Sequence, residues 1–185
     1  AVTQAQSVGD KSVSITLGST AAAEDLYANG YFYCNDSGAS AGEGHVYRIR
    51  QHDAIGSGGT GTIYIDEPDG LVNAWTAGTD VVGLIGSPWK DIVVSPTTIT
   101  GWSVGVTCNT LPASHYGWVQ TGGPGLAYLD VASSTVVGSA LMAGTNHVGQ
   151  MELLTYEDEA YQALATVGSL AGVDNAYNPV WLTIE

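Results

Sequence analysis

Positive charge is what this sequence has least of. Lys11, Arg48, Arg50 and Lys90 are its only lysines and arginines, against 18 Asp and Glu, for a formal charge of -14. Binding to a phosphate backbone depends on Lys and Arg displacing counterions, so the balance argues against nucleic acid and anionic membrane surfaces as partners. No apolar run approaches the ~20 residues that a bilayer-spanning helix requires, and a membrane is not expected as a partner on that ground either. Cysteine is scarce, with only Cys34 and Cys108 and no C-x-x-C spacing. Two buried thiols in a protein assembled in a reducing cytoplasm are expected, with a single long-range bridge as the alternative. No basic-then-apolar leader stands at the start and no secretion signal is read there, although a leader already removed would leave no trace.

Helical periodicity is nearly missing as well, and with it the case for a doubly wound sheet. What the chain does have is 25 glycines and many short runs of alternating apolar and Ser/Thr residues. With 185 residues, of which 44% are hydrophobic and 12% charged, it is long enough to bury about two-thirds of its unfolded surface without disulfide or metal, and disorder is excluded. Val13, Ile15 and Leu17 alternate with Ser and Thr, the period-two pattern of a strand with one buried face. Asn29-Gly30 is a favoured hairpin turn before Tyr31–Cys34. His45, Tyr47 and Ile49 fall on one face of the next strand, and Val46, Arg48 and Arg50 on the other. Further strands are expected at residues 62–65, 92–94, 102–108, 126–131, 135–142, 148–154 and 180–184. Val180, Leu182 and Ile184 should point inward. Residues 80–92 suit an edge strand or a lid, and 157–167 is the one stretch readable as a helix, though equally as loop plus strand. A weak echo links Val137-Gly-Ser and Ala143-Gly144 to Val167-Gly-Ser and Ala171-Gly172.

These patterns predict an all-β chain of antiparallel β-sandwich or β-barrel units, with short strands, Gly-rich turns and little helix. The expected organisation is an N-terminal arm over 1–11, an N-terminal β domain over 12–110 and a small β-barrel-like C-terminal domain over 111–185. Residues 115–125 mark the opening of the last unit. Tyr116 and Trp118 are expected to anchor its core, at about 3 to 5 kcal/mol for removal of a buried Trp118 ring, and Gly122-Gly-Pro-Gly125 to force a sharp turn.

No constellation passes as catalytic, and no cofactor is implied. Gly56-Ser-Gly-Gly-Thr-Gly61 spells G-x-G-x-x-G, but a strand follows where dinucleotide binding needs a helix N-terminus. Gly38-Ala-Ser-Ala-Gly42 spells the nucleophile elbow without the following helix. His45 and His52, with Asp53 or Glu43, could gather at one strand end, yet they lack compact ligand spacing. Asp66-Glu-Pro-Asp-Gly70 lacks the alternating oxygen ligands of a calcium loop. Arg48 and Arg50 place half the positive charge on one strand face, either paired with Glu43, Asp53 or Asp66 or serving an interface. They and the aromatics Tyr116 and Trp118 are the candidate interface residues.

Three segments, Glu24–Tyr31, Gly42–Arg50 and Tyr116–Pro124, together with the closing 168–184, resemble virion structural proteins of tailed phages. The likeness is nearest to head decoration, or cement, proteins, with Gly122 a departure where that family has a bulkier residue. The resemblance implies a non-enzymatic β-rich protein on the capsid exterior that binds the major capsid protein and sister copies, as a small homo-oligomer such as a trimer. The arm over 1–11 would then suit pairing with the shell. Competing readings are a carbohydrate-binding or host-adhesion module, motivated by the five tryptophans and ten tyrosines, and a self-assembling extracellular fibre subunit.

Overall fold

The computed structural model describes residues 1–35, 43–131, 135–155, 161–168 and 173–184. Its secondary structure is all β, with no helix among the described residues. The chain divides into two compact units, Ala1–Lys90 and Asp91–Glu185. The division therefore comes earlier than the expected boundary at 110/111. Residues 91–110 belong with the second unit because their backbone pairs there: the Gly149 N–H donates to the Ser95 carbonyl at 2.9 Å, and Val106 and Thr107 pair with Gln120 and Val119.

The first unit is a five-stranded antiparallel sheet of β1 (Ser12–Thr16), β2 (Tyr31–Cys34), β3 (Val46–His52), β4 (Thr60–Ile65) and β5 (Val82–Ile85), in the order β1-β4-β3-β2-β5. The alternation read in β3 holds: Tyr47 and Ile49 are buried, Val46, Arg48 and Arg50 exposed. Period two dictates this once one face packs on a core. That core is centred on Phe32, Tyr47 and Trp75, whose ring centroids lie 5.4 to 5.9 Å apart with Trp75 edge-on to both partners. Edge-to-face contacts suit the ring quadrupole. The Tyr47 hydroxyl accepts the Val72 N–H at 3.0 Å, so burying it leaves no orphaned polar atom.

Two local expectations change in this unit. The Asn29-Gly30 turn is real, with Asn29 at a φ of 61°, but β1 pairs with β4 and not β2, so the turn opens β2 without closing a hairpin. Gly30 is required there because a Cβ would run into the Ile85 carbonyl oxygen of the neighbouring segment. The N-terminal residues are also not a free arm. Val2 is fully buried and bridges Ile15, its N–H donates to the Asp80 carbonyl at 2.9 Å, and Gln6 exchanges both backbone hydrogen bonds with Trp75. An apolar side chain at position 2, worth about 1.5 to 3 kcal/mol when buried, outweighs the fraying expected of a polar terminus.

The second unit begins with the two-residue strands β6 (Val106–Thr107) and β7 (Val119–Gln120) and continues into a closed five-stranded barrel. The barrel strands are β8 (Gly122–Asp130), β9 (Ala140–Ala143), β10 (Met151–Leu153), β11 (Ala165–Val167) and β12 (Ala176–Thr183), in the order β10-β8-β12-β11-β9 with β9 returning to β10. All pairings are antiparallel except β8 with β10. Leu129, Leu141, Leu164, Val180 and Leu182 fill the interior, as the inward pattern of the last strand predicts. Of the segment 157–167, readable as a helix or as loop plus strand, Ala165–Val167 form β11, and 157–160 lie outside the described residues.

Gly122–Gly125 is not a turn but the start of β8, paired residue by residue with Thr183 back to Val180. Only Leu129 and Asp130 of β8 pair with β10, so Pro124 lies where the strand has one neighbour in the barrel and its missing N–H costs no ladder bond. The Gln120 amide reaches over this segment, donating to the Gly122 and Pro124 carbonyls. The echoed segments around Val137 and Val167 are brought together in the barrel. They meet each other: the Gly138 N–H donates to the Val167 carbonyl and the Val167 N–H to the Ser139 carbonyl, both at 2.9 Å. Val137 is half exposed in a turn while Val167 is buried at the end of β11.

Candidate interaction surface

In the first unit the outward face of the sheet carries Tyr31, Val46, Arg48 and Arg50, all exposed. Arg48 stands opposite Tyr31 across the β2–β3 ladder. Its guanidinium donates to the Asn29 side-chain carbonyl at 3.1 Å and lies 3.9 Å from an Asp66 carboxylate oxygen, with both charged side chains nearly half exposed. Such an open, long ion pair is worth about 0 to 1 kcal/mol. Asp66 is thus the carboxylate that Arg48 finds, and the pairing leaves the side chain about half exposed. The Arg50 guanidinium lies 5.9 Å from the centre of the Tyr64 ring, a cation–π distance.

In the second unit the structure overturns the expected burial of the aromatics. Tyr116 is fully exposed, Trp118 is 86% exposed and Trp102 is 84% exposed. The physical reason is the shortness of β6 and β7. The expected strands over 92–94 and 102–108 reduce to Val106–Thr107, because Pro96, Gly101 and Gly105 interrupt them and, among the described strands, β6 pairs with β7 alone. Val93 and Val94 are also largely exposed. From Ile92 through Leu129 the sequence contains no Asp, Glu, Lys or Arg, so this surface is neutral on a strongly acidic chain. Within the unit lies a recess of about 400 Å³ whose lining includes Val94, Val106, Leu111, Val119, Met151 and Leu164.

Among the described residues, His45, His52, His147, Asp130 and Glu152 have structural partners. His45 and His52 flank opposite ends of β3 and do not gather. The buried His52 accepts the Tyr27 N–H at Nε2 (3.0 Å), so its proton resides on Nδ1, which donates to the Asp53 carbonyl at 2.8 Å. Its backbone N–H donates to Asp25. Asp130 and Glu152 are neighbours across the parallel β8–β10 pair. His147 Nδ1 lies 3.0 Å from Asp130, and Thr145 and Asn146 donate to Glu152, so the two carboxylates hold the 144–149 turn. No group of three or more His, Cys, Asp or Glu suited to a metal ion occurs among the described residues. Gly56–Gly61 is a turn leading into β4, not a helix N-terminus. Gly38–Gly42 lies outside the described residues. Cys34 is buried but Cys108 is exposed, against the expectation of two buried thiols.

No family model, curated protein or solved structure matches the chain. The surface is therefore read from its own residues. Sequence reasoning named Arg48, Arg50, Tyr116 and Trp118 as interface candidates, and all four are exposed, though in two separate units. It missed Val93, Val94 and Trp102. The signal that finds them is the absence of charge between Asp91 and Asp130: an alternating run usually marks a half-buried strand, but here the run surfaces.

Proposed function

We propose that this chain is a non-enzymatic structural protein of a phage particle that binds the outer surface of the capsid and stabilises it. The observation that carries the structural, non-catalytic part is the neutral, aromatic surface of the second unit. Soluble monomers rarely expose contiguous apolar area without using it, and among the described residues His52, Asp130 and Glu152 hold turns and strand ends. The capsid itself comes from the resemblance of the Glu24–Tyr31, Gly42–Arg50 and Tyr116–Pro124 segments to cement proteins. On this reading the major capsid protein is the partner of the sheet face with Tyr31, Val46, Arg48 and Arg50, since arginine and tyrosine are enriched at interfaces. Heads assembled without the protein should lose resistance to heat and osmotic shock and regain it when the protein is added back. Survival of both stresses without it would end the cementing role.

A second reading, carbohydrate binding for host adhesion, draws on the same exposure of Trp102, Tyr116 and Trp118, because aromatic faces stack on sugars. A glycan array with saturable hits, lost in Trp118→Ala, would favour it over the capsid.

A further inference from the structure

The second unit presents a protrusion and a recess on adjoining parts of one segment. Tyr116 and Trp118, in the connection after β6, project into solvent. Gly117 between them packs tightly on Leu111, where an added Cβ would lie 2.6 Å from a Leu111 methyl carbon, and Leu111 is one wall of the recess. Neither ring lines the recess. A two-fold contact between identical subunits requires one patch to carry both complementary features, and this patch does.

Electrostatics selects the occupant. Each copy carries a formal charge of -14, so two copies repel wherever their acidic surfaces meet. The stretch from Ile92 to Leu129 bears no charged residue, which lets two such patches meet without opposed carboxylates. The recess walls are mainly aliphatic, and a buried aromatic anchor in an apolar pocket is the usual energetic centre of a protein interface.

We propose that the second unit is a self-association surface, in which Tyr116 and Trp118 of one copy enter the recess beside Val94 and Leu111 of a second copy, and the reverse, as a two-fold pair. This does not rest on capsid binding and can be read on the purified protein alone. Failure of one leaves the other standing.

Sedimentation velocity of the full chain over a concentration series should show a reversible dimer. Trp118→Glu, at the protrusion, and Val94→Asp, at the exposed rim of the recess, should each raise the dissociation constant by about thirtyfold or more. Both positions are largely exposed, so circular dichroism and the thermal midpoint should stay as in the parent. A photo-crosslinker, p-benzoylphenylalanine, in place of Tyr116, used in a mixture of ordinary and nitrogen-15-labelled protein, should give mixed-isotope links to residues 92–111. A strictly monomeric parent, a dimer indifferent to both substitutions, links confined to one copy, or a monomer that releases an apolar small molecule on denaturation would each overturn the proposal.

Discussion

The Cys108 N–H donates to the Trp118 carbonyl at 3.2 Å, so the residue whose ring stands out into solvent is held by its backbone. Together with the Val106–Gln120 and Thr107–Val119 pairs, this bond fixes the position of a side chain left largely exposed by the described residues. A tethered backbone with a free ring is the arrangement expected of a contact residue and not of a core anchor.

The first prediction contrasts two tryptophans. Trp118→Ala should change unfolding stability by no more than about 0.5 kcal/mol, as surface substitutions do, whereas Trp75→Ala should cost about 3 to 5 kcal/mol because Trp75 is 1% exposed among Phe32 and Tyr47. Urea titrations of the two variants check this directly.

A second prediction concerns His52. Replacing it by Ala leaves the Tyr27 N–H and the Asp53 carbonyl without their partner, an expected loss on the order of 2 to 3 kcal/mol. The loss should appear in the unfolding of the first unit. Asn73 and His45, at the other end of β3, are expected to keep their contact at 2.9 Å.

Glycines supply a third. Gly30→Ala should destabilise by roughly 2 kcal/mol or more, since the added carbon meets the backbone of Ile85, Gly86 and Ser87. Gly56→Ala should be neutral or stabilise by up to about 1 kcal/mol, because nothing lies within 4 Å of its Cβ position and its φ is not positive.

A fourth tests the tethered terminus. Val2→Ala should cost on the order of 1 to 2 kcal/mol and lower the protection of the Gly78 N–H, which donates to the Val2 carbonyl. Hydrogen exchange gives that readout, and an unchanged Gly78 would restore the free arm over 1–11.

What was legible in the sequence follows from which rule governed each segment. Alternation located β1, β3 and β12 because one face of each packs on a core, as in Val13 and Ile15 or Val180 and Leu182. It misled at Trp102–Cys108, where Val106 packs on the barrel core but Trp102 and Cys108 at the ends of the same spacing stay exposed, and burial of Trp102 and Trp118 could not be told from alternation alone. Gly122–Gly125 read as a turn from local chemistry, but pairing with Val180–Thr183 extends it, and partners so distant in sequence leave no local mark. The arginine face of β3 was readable; the recess was not, since its walls come from Ile92 to Ile184.

The central claim, a structural protein of the capsid exterior, is tested most directly by the stoichiometry of this chain in purified phage particles, measured by quantitative mass spectrometry against the major shell protein. The account predicts a fixed ratio, the same from one preparation to the next and retained through washing at high salt. Absence from the particle, or a ratio that drifts with purification, would contradict it.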